Sequence, residues 1–405
     1  MKRIVKTNIL NPIDKFTTDF RKNIFITIEN EKIASIESNN NPKFDFDDLT
    51  DCICIPGFID THVHLSQLKI RGKHSPNLLH WLNTYTFLEE SKSSESNYAK
   101  KIAEDFFDEL IRRGTTTSVI YVAPFKNATE IAFEVATQKK VRAIIGMTMM
   151  DQNSPDCLIQ NTISAYEDSI ELYEKWDKKT SLLNYIFTPR FAPTCSRELL
   201  KKTGDFAQKN KAYIQTHLSE NLDEIKWVAE LFPECNSYTE VYERYNILSG
   251  KTILGHCIHL SENERQIIKK TNSKVAHCPD SNFFLKSGTF KLNDIKESKI
   301  DFALASDVGG GTSLSMLNIM KMMNYRQEDY LISPQEAFYY ATLGGAKVLG
   351  KENIIGSIDI EKCADLAFFK IPDIQKLDEI DVLSYLYYLG SELNTVLVLI
   401  NGEKV

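Results

Sequence analysis

Two hydrophobic periods alternate along the chain. Apolar runs enriched in β-branched residues occupy 55–64, 115–122, 142–147, 183–190, 212–217, 252–256, 274–277 and 301–307, and each ends in polar residues or glycine. Runs of this length predict buried strands. Most of the intervals carry a helical period. Tyr98, Ile102, Phe106 and Leu110, flanked by Ala99, Ala103, Phe107 and Ile111, mark one face of a helix over 98–113. Ile163, Tyr166, Ile170 and Tyr173 form a similar stripe over 162–176. Ser333-Pro334-Gln335-Glu336 reads as a capping box with proline at the first helical position, and predicts a helix to about residue 349.

Strands alternating with helices predict an α/β fold, a parallel (β/α)8 TIM-like barrel over 56–354. The connection 65–97, between the first strand and the next helix, is long enough to predict a lid or substrate loop. The two ends differ from the middle. Residues 24–28 and 33–36 read as a hairpin, 366–369 and 396–400 as strands, and Asn401-Gly402 as a tight turn. The expectation is a small composite β-sandwich domain built from 1–55 and 355–405.

Composition narrows the function classes. Apolar residues make up 42% and charged residues 25%, ordinary for a globular protein with a large core. The net charge of −7, with lysines interspersed among acids, argues against nucleic acid as a partner. No apolar run is long enough to span a membrane, and the basic first residues have no apolar stretch behind them, so neither membrane association nor a secretory leader is expected. The eight cysteines are scattered without a CxxC pair, which fits reduced thiols. The absence of P-C-x-x-C also excludes the zinc deaminase class that depends on it.

Histidines carry the chemistry. His62 and His64 stand two apart on a predicted strand, so both point to one face. His217, His256 and Asp307 end three later strands, and functional groups in a barrel gather at those ends. Three neutral imidazoles and a carboxylate suit Zn²⁺ with a position left for water. His256 could ligate the metal or hydrogen-bond the attacking hydroxide; the spacing leaves both open. No lysine lies in 183–190 to bridge a second ion, so one metal per chain is expected. Glu220, three residues past His217, can carry protons beside that water, against the plainer reading of a helix-start acid. His277 reads equally as a second-layer or a structural group. His74 and His80 read as surface or lid residues, and His259 as solvated or structural.

Further segments extend the pattern. These are Phe187-Thr188-Pro189-Arg190-Phe191, Gln215-Thr216-His217-Leu218-Ser219-Glu220-Asn221, His277-Cys278-Pro279-Asp280-Ser281-Asn282 and Asp307-Val308-Gly309-Gly310-Gly311. Gln67 and the stretch from Leu79 to Phe87 belong with them. From about Pro56 onward the chain resembles the amidohydrolase superfamily in its mononuclear deaminase branch, and within it the guanine deaminases.

The resemblance implies hydrolysis of guanine to xanthine and ammonia in purine catabolism or salvage. It implies Zn²⁺, with Fe²⁺ as the alternative ion, on His62, His64, His217 and Asp307. Glu220, Asp307 and His256 would be catalytic. Gln67, Trp81, Leu82, Arg190, Phe191, His217 and Glu220 would meet the purine, Arg190 donating to its oxygen-bearing edge and Phe191 stacking on the ring. A cytoplasmic homodimer is also implied. Phe283, Phe284, Lys286, Asp280 and Gly309 depart from the family pattern and could reshape the pocket. The competing substrates are another aminopurine such as 8-oxoguanine, a pterin or an s-triazine; the competing class is a silent scaffold that has lost its metal.

Overall fold

The computed structural model describes residues 2–38, 45–327 and 330–405. Two sheets organise it. The first is mixed and seven-stranded, in the order β15-β14-β13-β4-β1-β2-β3. Its strands are β1 (Lys2–Pro12), β2 (Thr18–Glu29), β3 (Lys32–Glu37), β4 (Asp47–Pro56), β13 (Leu366–Lys370), β14 (Thr395–Ile400) and β15 (Glu403–Lys404). The predicted turns are in place: Asn30 and Glu31 join β2 to β3, Asn401 and Gly402 join β14 to β15, and all four take positive φ. The sheet curls so that the β2–β3 hairpin meets the segment before β13, where the Ala364 amide donates to the Glu31 carbonyl. Ile9, Ile26, Cys54, Phe368 and Leu399 fill the curl. This is how the two chain ends form one sandwich-like unit.

The second sheet is an eight-stranded parallel barrel running in sequence order. It comprises β5 (Phe58–His64), β6 (Thr115–Val122), β7 (Arg142–Met149), β8 (Leu183–Pro189), β9 (Tyr213–Leu218), β10 (Thr252–His256), β11 (Lys274–His277) and β12 (Phe302–Leu304). Most barrel-strand residues are buried on both faces, which is why they read as unbroken apolar runs. The expected helices stand at Ser96–Arg112 and Thr162–Trp176.

Four expectations need adjustment. The run 55–64 is two strands: β4 of one sheet passes directly into β5 of the other at Gly57, where a β-carbon would lie 2.2 Å from Thr116. The eighth barrel strand stops at Leu304 rather than continuing to Asp307. Beyond it the chain leaves the ladder and closes the barrel on β5, the Asp307 amide donating to the His62 carbonyl (2.9 Å) and the His64 amide to the Val308 carbonyl (2.7 Å).

The helix after Ser333 breaks at Thr342 into Pro334–Ala341 and Leu343–Val348, because Gly344 and Gly345 fold in closely against Tyr339 and Ile59. Only half of its capping box forms. Ser333 accepts from the Glu336 amide, while the Glu336 carboxylate is buried and pairs instead with Lys296 and Tyr330. The connection 65–97 is not an open loop. It folds as short helical pieces, Leu65–Ile70, Leu78–Trp81, the wide turn Leu82–Thr86 and Phe87–Ser91. Their apolar faces, Ile70, Leu78, Trp81, Leu82 and Phe87, pack on Met150, Leu158 and Leu285.

Candidate active site

β5, β9 and the turn after β12 deliver four ligand atoms to one point. His62 Nε2 and His64 Nε2 each lie 3.2 Å from Asp307 Oδ1 and 3.3 Å from one another. His217 Nε2 lies 3.3 Å from His64 Nε2. Ligand atoms about 2.0–2.1 Å from a tetrahedral ion stand roughly 3.3 Å apart, so the spacing is that of a metal cage.

The protonation states agree. Burial pushes His62 down to about 4, lowers His64, and puts His217 well below the usual imidazole range. Burial opposes ionisation of Asp307, but His256, His62 and His64 hold its carboxyl well below the ordinary value. Neutral imidazoles and an ionised carboxylate are what a divalent cation requires. The His217 tautomer is fixed from behind: Nδ1 lies 2.7 Å from the Arg190 carbonyl oxygen, to which it can only donate, which leaves a lone pair on Nε2. The residues therefore fit a divalent metal.

His256 sits beside this set. Its Nδ1 bonds Asn282 Oδ1 (2.9 Å), while Nε2 faces Glu220 Oε2 at 3.4 Å and Asp307 Oδ2 at 3.7 Å. A second possible grouping joins His256 to His62, Cys278 and Asp307. The Cys278 thiol is pushed well up by burial, so the thiolate that a metal needs is disfavoured there. Glu220 is buried, and burial raises its carboxyl to about 7. Ser287 donates to its Oε1 at 2.9 Å, and Glu224 accepts from its backbone amide at 3.0 Å. A carboxyl poised near neutrality can both take and return a proton. Ser219, His256, Cys257 and Asp307 all hold positive φ, a concentration of backbone strain at the strand ends.

A cavity opens over these groups. His64, His217, Glu220, His256 and Asp307 line it together with Gln67, Trp81, Leu82, Arg190, Phe191 and Leu285. The sequence-derived substrate residues thus share one space with the metal cage. The buried indole N–H of Trp81 has no partner among the described residues and remains free to donate to a ligand.

Several residues take roles the sequence did not indicate. Phe283 and Phe284 do not line the cavity; Leu285 does, while Phe283 stacks under Arg326 at 4.4 Å and Phe284 packs against the covering helices. Lys286 is exposed. Asp280 instead ties the helix Pro279–Phe284 to the turn after β12, accepting from the Thr312 amide (2.6 Å) and hydroxyl (2.7 Å). At Gly309 a β-carbon would come 2.7 Å from the Gln67 carbonyl, so glycine lets the two backbones approach. His277 stacks on Phe290 at 4.1 Å and reads as a core residue, His259 bonds the Ser287 carbonyl (2.8 Å), and His74 and His80 are exposed. Glu90 was missed altogether. It is buried against Arg190 and Gln67, and a Glu-Glu pair in a polar stretch gives no sign of that burial.

Residues 53–405 match the amidohydrolase family model. The chain is 35% identical over 365 residues to the guanine deaminase of Escherichia coli, covering 87% of this chain and 83% of that protein. It is 34% identical over 377 residues to the guanine deaminase of Dictyostelium discoideum, covering 88% and 83%. Among solved structures, guanine deaminase from C. acetobutylicum with bound guanine superposes with a TM-score of 0.95 at 32% identity over the whole of both chains.

Proposed function

The chain belongs to the amidohydrolase family, and we propose that it catalyses the hydrolytic deamination of guanine to xanthine and ammonia. One observation carries the reading: a single cavity joins a buried three-histidine, one-aspartate cage and a proton-carrying glutamate to the Arg190–Gln67 wall. The C. acetobutylicum relative with bound guanine supports the same substrate.

His62, His64, His217 and Asp307 would hold one Zn²⁺, with Fe²⁺ as the alternative ion. Such an ion supplies hydroxide at neutral pH by lowering the pKa of water from about 15.7 to about 7. Glu220 protonates the ring nitrogen adjacent to C2, which makes C2 electrophilic. Oxygen adds there, and the resulting carbon carries both oxygen and amine. Glu220 then passes the proton taken from the nucleophile to the amine. The C2–N bond breaks, ammonia leaves, and a carbonyl forms at C2, so water and guanine are fully accounted for. His256, held by Asn282 and aimed at Glu220 and Asp307, would steady the oxygen by hydrogen bonding rather than ligate the metal. Asp307 combines ligation with proton acceptance. Arg190 donates to the purine's oxygen-bearing edge, Gln67 reads a mixed edge, and Phe191, Trp81 and Leu82 enclose the ring.

The same proposal divides the chain into a terminal β-domain (1–55 with 355–405) and a catalytic barrel (56–354), supported by two sheets that share no strand. It places the enzyme in the cytoplasm, in purine breakdown or salvage. No helix among the described residues is long and apolar enough to cross a membrane. It also makes the enzyme a homodimer. Exposed Leu389, next in sequence to the stacked Tyr388 of the Tyr325–Tyr388 pair, and exposed Leu393 and Val396 supply apolar surface for a second copy.

The test is ammonia release from guanine by the purified protein, with metal measured on the same sample. About one divalent ion per chain with release is expected, the single four-ligand cage being the basis. Full metal with no release, or a higher kcat/KM for 8-oxoguanine, adenine, cytosine or pterin, would overturn the guanine assignment.

A further inference from the structure

Behind the purine-reading wall lies a carboxylate with no assigned role. Glu90, on the short helix Phe87–Ser91, is buried and bridges two residues from different parts of the barrel. Its Oε2 accepts from Arg190 Nη1 at 2.7 Å, and its Oε1 accepts from Gln67 Nε2 at 2.7 Å. The far end of the Gln67 amide is held as well, since the Gly309 amide donates to Oε1 at 3.3 Å. The Phe87 ring lies 5.3 Å from the Arg190 guanidinium carbon.

Two consequences follow. Both Gln67 amide groups are committed in one orientation, so the amide cannot flip, and one N–H and one lone pair remain for a ligand. The Arg190 charge is matched inside a buried site, where an unpaired guanidinium would attract anions strongly.

We propose that Glu90 is a positioning residue that sets the substrate class: by orienting Gln67 and neutralising Arg190 it makes the pocket select neutral purines over purine anions. The inference rests on the guanine reading above. It also bears on turnover. An N–H flanked by two carbonyls is more acidic than its amino-purine counterpart, so the dioxopurine product ionises more readily than the substrate. A neutral Arg190–Glu90 corner gives that anion no added hold.

The test compares two ligands that cannot be deaminated, neutral hypoxanthine and anionic urate, by calorimetry at pH 7.5 on metal-loaded protein. In Glu90→Gln, hypoxanthine should bind about tenfold or more weakly, the loss expected for a charge-assisted contact. Urate should bind more tightly, so the two affinities move in opposite directions. A merely structural role would weaken both alike, and that result, or no change in either, overturns the proposal. Glu90→Asp keeps the charge but is one methylene too short to reach both partners. It should weaken hypoxanthine without tightening urate, and unchanged hypoxanthine binding would overturn the positioning role even where Glu90→Gln fails to fold. Wild-type protein that deaminates guanine while Glu90→Gln weakens both ligands alike separates failure here from failure of the functional reading. Wild type that neither deaminates guanine nor binds hypoxanthine overturns both.

Discussion

At the scale of single residues, the pKa pattern separates the clustered histidines from the nearby glutamate. Burial leaves His62, His64 and His217 as neutral donors of lone pairs, whereas the same burial raises the Glu220 carboxyl to about 7. Glu220 is held by Ser287 at its carboxylate and by Glu224 at its backbone amide. Glu220→Gln should therefore retain its metal by elemental analysis while turnover falls about 10²–10⁴-fold, the usual worth of a positioned acid–base. Near-normal turnover would remove Glu220 from the proton path. The histidine–aspartate cluster was legible because strand periodicity sends His62 and His64 to one face and because His217 and Asp307 end predicted strands. The contacts of Glu90, Ser287 and Asn282 were not legible. Each residue acts through a contact between segments far apart in sequence, and a polar side chain does not announce its own burial.

At the scale of elements, barrel strands were readable because burial on both faces leaves no polar alternation to misplace. The covering segment 65–97 was not, because it is built of helical pieces too short to establish a period. One small motif shows how an element aims a side chain. The helix Leu222–Leu231 opens with a capping box between Asn221 and Glu224. Glu224 Oε2 also accepts from the Glu220 amide (3.0 Å), and Oε1 accepts from the Tyr238 hydroxyl (2.9 Å), so the cap fixes the turn that presents Glu220. Glu224→Ala would strand two buried donors, the Glu220 amide and the Tyr238 hydroxyl, and the half-buried Asn221 amide. The expected cost is about 3 kcal/mol of unfolding free energy in urea, with kcat reduced more than KM is raised. Glu224→Gln, which keeps an acceptor oxygen, should recover part of both. Equal kcat in all three proteins would separate the cap from catalysis.

At the scale of the whole molecule, the two ends of the barrel do different work. The ends of β5, β9 and β10 and the turn after β12 hold the histidine–aspartate cluster, while the start of β7 ties the barrel to the terminal sheet. Arg142, the first residue of β7, is buried with Asp365, just before β13. Its Nε donates to Asp365 Oδ2 at 2.7 Å, its Nη2 to Asn401 Oδ1 at 2.8 Å and its Nη1 to the Ser181 carbonyl at 3.0 Å. Removing one member of such a pair leaves an uncompensated charge in the interior, so Arg142→Ala should cost about 3–5 kcal/mol. Asp365 still accepts from the Asn401 amide at 2.9 Å, which places the expectation toward the lower end. Arg142→Met combined with Asp365→Asn should lose less than the two single changes summed, since the unpaired charge is gone. Because this cluster lies at the strand ends opposite the metal cage, the folded fraction of Arg142→Ala should keep its metal and its kcat/KM for guanine. Urea denaturation and kinetics on one preparation check both halves. A lowered kcat/KM at full metal occupancy would mean that the terminal sheet shapes the active site rather than only supporting the barrel beneath it.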